Sequence, residues 1–297
     1  MQKFTEPIIK GVYPKRILPD GTALVLEGGG ARGTFSAGVF DAFLDKGIMF
    51  PYIAGISAGA AKAISYVSGQ RGRNRVIVEK FVQDKKYISY RNFIRYGSLF
   101  GYDFVFNTIP KQHLFWDSEV FYNTDIQFLT GTTDCNTGDI VWFEKHELNP
   151  CLTPLIASCS VPMVSPIVEH NGLELLDGGV VAPIPIEKSI TDGNKFHVII
   201  LTRNKGYRQK AIRFKRILNW VYGKYPALVE AILKRHEAYN RQIELCERLV
   251  QEKKAIIIQP QYPVVVGRTT TNRQKLLALY NEGHMEGWMA IEKQLFV

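Results

Sequence analysis

The sequence predicts an α/β chain: a three-layer α/β/α domain with a mainly parallel sheet over residues 22–203, followed by a helical region over 204–297. Three observations carry that expectation. Strand and helix signals alternate between Thr22 and Val67, as in βαβ units whose parallel strands are covered by helices. After Arg203 the texture changes to long, charged, helical sequence. The 297 residues, 46% hydrophobic and 22% charged, have an ordinary globular composition and enough apolar mass for a full core.

Each element has its own signal. Thr22-Ala-Leu-Val-Leu-Glu27 is a short apolar, β-rich run stopped by glycines, and Thr34–Lys46 spaces Phe35, Val39, Phe40, Phe43 and Leu44 at helical intervals before Gly47. Pro51–Ala54 reads as a second strand, and the small residues after Gly59 continue as a helix through Val67. Asp125–Thr133 and Ile140–Phe143 flank Asn136-Thr-Gly-Asp139 and predict a β-hairpin. Leu173–Leu176 and Phe196–Leu201 are further strands. Pro226–Lys254 and Asn272–Leu295 are strong helix candidates.

Composition also excludes classes. Cys135, Cys151, Cys159 and Cys246 show neither CxxC spacing nor the density of a disulfide scaffold, so free thiols in a reducing, cytoplasmic setting are expected. Met1–Pro7 lacks the apolar core of a secretory leader. The longest uncharged stretch, Leu148–Val168, holds Pro150, Pro154, Pro162 and Pro166, which could not satisfy their backbone in lipid. A soluble protein is expected. The net charge of +9 is uneven: residues 195–254 hold 15 Lys/Arg against five Asp/Glu, and Arg71–Arg95 hold eight against two. Two readings stand, an anionic partner (nucleic acid or a membrane surface) or a solvated helix face.

The chemistry centres on glycine-rich turns. Gly28-Gly-Gly-Ala-Arg-Gly33 lies between a strand and a helix, where unpaired backbone N–H groups and the helix dipole favour negative charge. Such a loop suits a dinucleotide pyrophosphate or an oxyanion. The dinucleotide reading needs an acid at the end of the second strand, and that strand ends in Ile53-Ala54-Gly55. In place of the acid the strand runs into Gly55-Ile-Ser-Ala-Gly59, a G-x-S-x-G elbow that presents a serine hydroxyl on a sharp strand-to-helix turn. The serine needs a base. His236 and His284 lie in the charged tail without strand-end context, and His113, His146, His170 and His197 are no better placed. Asp177 in Leu-Leu-Asp-Gly-Gly179 stands at a strand end, where Asp-Gly is also a favoured hairpin turn. No HExxH, Cys/His ligand spacing or EF-hand loop is present, so neither metal nor cofactor is expected.

Taken together, Leu24-Val-Leu-Glu-Gly-Gly-Gly-Ala-Arg-Gly33, Gly55-Ile-Ser-Ala-Gly59 and Asp177-Gly-Gly179 resemble the patatin-like phospholipase family, and Ala157-Ser-Cys-Ser-Val-Pro162 is similar to the connection into its aspartate. The resemblance spans residues 22–203, and the tail resembles the extension of a bacterial subgroup. It implies a lipid acyl hydrolase without cofactor, with Ser57 as nucleophile, Asp177 as general base and the Gly29 and Gly30 amides as oxyanion hole. Arg32 would steady the loop or meet a substrate phosphate. An acyltransferase, a non-lipid esterase and a silent lipid-surface binder are the alternatives. The implied partner is a lipid acyl ester, with no nucleic acid.

Lys210–Tyr222 would place Ala211, Phe214, Leu218 and Val221 on one helical stripe, with Lys210, Arg213 and Arg216 at spacing three. Such a helix either lies on an anionic membrane surface or packs its stripe on the α/β domain.

Overall fold

The structure, a computed structural model, describes residues 16–149 and 151–293. The expectation at Met1–Pro7 and the end of the last predicted helix at Leu295 lie outside them. The chain starts with β1 (Arg16–Ile17), β2 (Thr22–Leu26), α1 (Thr34–Asp45), β3 (Ile48–Met49), β4 (Tyr52–Ile56) and α2 (Ala58–Val67). A helical excursion comes next: α3 (Arg73–Lys80), α4 (Tyr90–Tyr96), a stretch of wide π-type turns at Phe104–His113, and α5 (Ser118–Asn123). The chain returns to the sheet with β5 (Gln127–Asp134), β6 (Ile140–Glu144), α6 (Thr153–Cys159), β7 (Val168–His170), β8 (Leu173–Asp177), α7 (Ile186–Thr191) and β9 (Phe196–Ile200). It closes with α8 (Lys215–Tyr222), α9 (Pro226–Gln251), β10 (Ala255–Ile258) and α10 (Arg273–Glu292).

Strands β10, β9, β2, β4 and β5 are parallel neighbours in that order, and β6, β8 and β7 add an antiparallel end. Side-chain alternation splits the core into two layers. From β2, Leu24 and Leu26 join Phe35, Val39 and Phe43 of α1 and Leu276 and Leu279 of α10. On the other face, Ala23 and Val25 join Ile186 of α7 and Tyr239, Ile243, Cys246 and Leu249 of α9. Each such Leu, Ile or Phe contributes about 1.5–3 kcal/mol by leaving water. The result is a three-layer α/β/α fold.

The segment after residue 203 is built into that fold. Its regular structure is helical except for β10, whose apolar run pairs in parallel with β9. The helices α9 and α10 lie on opposite faces of the sheet. The crossing of α1 and α10 is backbone to backbone. A Cβ on Gly38 would fall 2.0 Å from the Tyr280 carbonyl, and one on Gly283 would fall 2.0 Å from the Phe35 carbonyl.

The helix expected over 210–222 begins only at Lys215. The cause lies in α9: the Asn240 amide accepts from the Gln209 N–H at 2.8 Å and donates to the Gln209 carbonyl at 3.1 Å. Pinned on both backbone groups, the chain stays irregular through Phe214. No helix of the described residues is long and apolar enough to cross a membrane.

Candidate active site

Ser57 stands between β4 and α2 with φ +53° and ψ −126°. A side chain in that left-handed region costs about 1–3 kcal/mol and persists only where its surroundings impose it. Here α2 begins at the next residue, and the Ser57 N–H donates to Ser158 Oγ of α6 at 2.9 Å.

Strand register brings Asp177 to it. Thr132 and Thr133 of β5 pair with both β6 and β8, so these two strands occupy opposite edges of β5. Leu129–Gly131 pair with both β6 and β4, so β4 shares an edge with β8. Along that edge β4 and β8 run toward each other, Ile56 opposite Gly131 and Asp177 opposite Thr132. The two strands meet end to end. At the junction Ser57 Oγ donates to Asp177 Oδ2 at 2.8 Å, and Asp177 Oδ1 accepts the Gly179 N–H at 2.7 Å. Both residues are buried. Burial raises the Asp177 pKa above the ordinary carboxylate value, and the hydrogen bonds from Ser57 and Gly179 offset only part of that rise. A more basic carboxylate is a better proton acceptor near neutral pH.

The glycine loop closes over the pair. Gly30 has φ +58°, and a Cβ there would fall 2.5 Å from the Arg268 carbonyl. That carbonyl accepts the Ala31 N–H at 2.8 Å, while the Gly28 N–H donates to Pro183 O at 3.3 Å. The Gly29 and Gly30 amides, between these anchors, have no hydrogen-bond partner among the described residues. Both glycines line the same cavity as Ser57 and Asp177. Arg32 is 4% exposed and lines neither cavity at Ser57. It is seated with the buried Glu27, whose carboxylate accepts the Thr202 N–H at 2.5 Å. The Arg32 side chain is turned into the protein interior. Burial lowers its pKa to about 10.

Two cavities meet at Ser57, Gly30 and Phe100. The larger, about 530 Å³, is bordered by Val161–Val164, Ile217 and the cationic Lys210, Arg235 and Arg268. The smaller, about 130 Å³, is walled mostly by apolar side chains such as Ile64, Val78, Phe106 and Trp116, with Lys62 and Arg73 also on its lining. Arg235 of α9 donates Nε to the Gly179 carbonyl at 2.6 Å, and its buried Nη1 has no partner among the described residues. Burial, together with the neighbouring Arg268, lowers its pKa to about 10.

Histidine plays no visible part in this pair. His236 borders the larger cavity, but its Nδ1 lies 2.9 Å from Leu233 O, and His284 Nε2 lies 2.8 Å from Asp45 Oδ2. Sequence reading did not find Arg235, Arg268 or Ser158. Arg235 is an ordinary member of the basic region 195–254 and Arg268 a lone arginine beyond it, and only folding separates them from solvated charges.

Known proteins are similar along the same lines. A family model described as patatin-like phospholipase matches residues 24–189, more than half of the chain. A domain of unknown function (DUF6363) matches residues 225–295. The uncharacterized protein YjjU of Escherichia coli (strain K12) is 27% identical over 239 residues, covering 76% of this chain and 64% of its own length. Lysophospholipase NTE1 of Candida glabrata is 31% identical over 169 residues, covering 55% of this chain and 9% of its own. The chain thus spans less than two thirds of either relative. The crystal structure of VipD from Legionella pneumophila aligns with a TM-score of 0.46 at 13% identity, covering 93% of this chain and 67% of that one.

Proposed function

The chain belongs to the patatin-like phospholipase family, and on that premise we propose that it hydrolyses acyl esters of lipids, phospholipids among them, through a Ser57–Asp177 dyad. The observation that carries this reading is the 2.8 Å hydrogen bond from Ser57 Oγ to Asp177 Oδ2 at the meeting point of the two cavities. Asp177 takes the hydroxyl proton as Ser57 Oγ attacks the ester carbonyl. The negative charge that develops on the carbonyl oxygen is met by the Gly29 and Gly30 amides; one such donor is worth about 10²–10³ in rate. Collapse of the tetrahedral intermediate breaks the bond to the alcohol oxygen, which leaves with the proton from Asp177. Asp177 then accepts a proton from the water that attacks the acyl-enzyme and passes it to Ser57 Oγ as the acyl–oxygen bond breaks, which releases the fatty acid and restores both residues.

The cavities support a division of the substrate. The apolar cavity suits an acyl chain, and the larger one, with Arg235 and Arg268, suits an anionic leaving group such as a phosphate-bearing alcohol. Labelling with a fluorophosphonate, followed by mapping of the modified residue, tests the assignment. Modification at Ser57 with parallel loss of fatty-acid release is expected; modification elsewhere, or an unlabelled protein, would overturn it.

A further inference from the structure

Exposed apolar side chains and positive charge gather on two segments that adjoin the larger cavity. The helix α8 carries two apolar stripes. Leu218 and Tyr222 pack with Leu228, Val229 and Ile232 of α9. Ile217 and Trp220 point away from them by more than a quarter turn, Val221 sits one turn on from Ile217, and all three are exposed, Trp220 by 86%. One stripe docks the helix on its own protein; the other is left over. Just before α8, Ile212 and Phe214 are exposed as well.

A distant part of the chain repeats the pattern. In α4, Tyr90 is 82% and Ile94 is 85% exposed, with Phe93 and Tyr96 beside them in the exposed set. The excursion that carries α4 is closed at its base by the Ile88–Phe100 bridge and by the Ser89 N–H donating to Leu99 O at 3.0 Å. Both patches are tied to one turn: the Leu99 N–H donates to Val164 O at 2.8 Å, and the Met163 N–H donates to Tyr222 Oη at 2.8 Å. Phe100 from the α4 side and Ile217 from α8 line the cavity that holds Ser57. The α8 patch thus reaches the cavity through Ile217, and the α4 patch adjoins it through Phe100.

Charge narrows the partner. Lys210, Arg213, Lys215 and Arg216 are exposed, and Lys210–Gly223 contains no acidic residue. Arg91 and Arg95 are exposed, and Tyr90–Gly97 contains none either. Aliphatic Ile94, Ile217 and Val221 find no use on a nucleic acid. A bilayer accepts both features, apolar side chains below the head groups and cations among anionic ones.

We propose that α4 and the segment Lys210–Tyr222 form one docking face for an anionic lipid bilayer, which sets the mouth of the Ser57 cavity against the lipid surface. The proposal extends the hydrolase reading by saying where the lipid is met. Its test does not depend on catalysis. Full-length Ser57→Ala protein is co-sedimented with phosphatidylcholine vesicles and with vesicles containing about one-third phosphatidylglycerol. Binding to the anionic vesicles is expected at least about tenfold tighter than to the neutral ones, and it should weaken as salt screens the charges. Arg213→Glu with Arg216→Glu, and separately Arg91→Glu with Arg95→Glu, should each weaken it about tenfold, given about one head-group attraction per basic residue. Circular dichroism verifies that these exposed changes leave the fold intact. Absent binding, equal binding to both vesicles, or indifference to the α4 reversals would overturn the proposal. Intact vesicle binding with no fluorophosphonate labelling of the wild type would strike the catalytic reading alone.

Discussion

Arg235 Nε donates to the carbonyl of Gly179 at 2.6 Å, so a helix from the last third of the chain holds the loop that carries Asp177. The same guanidinium interacts favourably with the Asp177 carboxylate itself. Arg235→Met removes the clamp while keeping the apolar stem, and should lower kcat about 10–100-fold, the loss of a charge-assisted hydrogen bond of about 1.5–3 kcal/mol. Arg235→Lys should recover part of it. Steady-state kinetics with a soluble ester checks this; an unchanged kcat would show that the loop holds itself.

The strained backbone at Ser57 separates chemistry from stability. Ser57→Ala should abolish fatty-acid release and leave the melting temperature nearly unchanged, because only a hydroxyl leaves the turn. Ser57→Gly should be equally inactive but more stable by about 1 kcal/mol, since glycine accepts φ +53° without the Cβ cost. In a chain of this size that is a rise of about 1–2 °C, measurable by calorimetry. Equal melting temperatures for the two variants would argue against strain at the elbow.

Asp177 should set an acid limb on activity. Its carboxylate must be ionised to take the Ser57 proton, and burial raises its pKa above 3.8, so kcat/KM should rise with pH through a window above the ordinary carboxylate range. Stability runs the opposite way. Between the unfolded pKa and the raised folded one, the native state binds more protons than the unfolded state, so stability falls as pH rises. Asp177→Asn should remove the acid limb with the activity, and should melt higher than wild type above that window. Activity that is flat from pH 4 to 7 would contradict the assignment of the base (about three decades of proton concentration).

Gly30→Ala should cripple catalysis more than it harms the fold. The added Cβ meets the Arg268 carbonyl at 2.5 Å in a backbone with positive φ, so the loop must shift and carry the Gly29 and Gly30 amides away from Ser57. A loss of about 10²–10³ in kcat is expected, comparable to losing an oxyanion donor. Full activity would place the oxyanion hole elsewhere.

Residues 204–293 should be required for folding. They supply β10, the α9 layer on one face of the sheet and the α10 layer on the other. A chain ending at residue 203 should lose cooperative unfolding by calorimetry. Within the full chain, Gly283→Val should cost about 3 kcal/mol, because α1 and α10 must separate to admit the side chain.

The proposed site was legible in the sequence because its geometry is local. A G-x-S-x-G turn between a strand and a helix, a glycine loop with an arginine and an Asp-Gly-Gly after a strand each write their backbone shape into neighbouring residues. The same locality made β2, β4, β9 and the long helices readable from periodicity. Other features needed the folded chain. Four apolar residues at Ala255–Ile258 become a strand only because the open edge of β9 is there to pair them. Lys210–Phe214 lose their predicted helix to an asparagine side chain 31 positions away. Arg32 and Arg235 share a residue type with the surface cations, yet one is buried and the other holds the Gly179 carbonyl beside Asp177. Burial, partner and cavity are sums over many distant residues. A pattern read along the chain records what each residue favours, and only packing decides which of those preferences are met and which charges leave water.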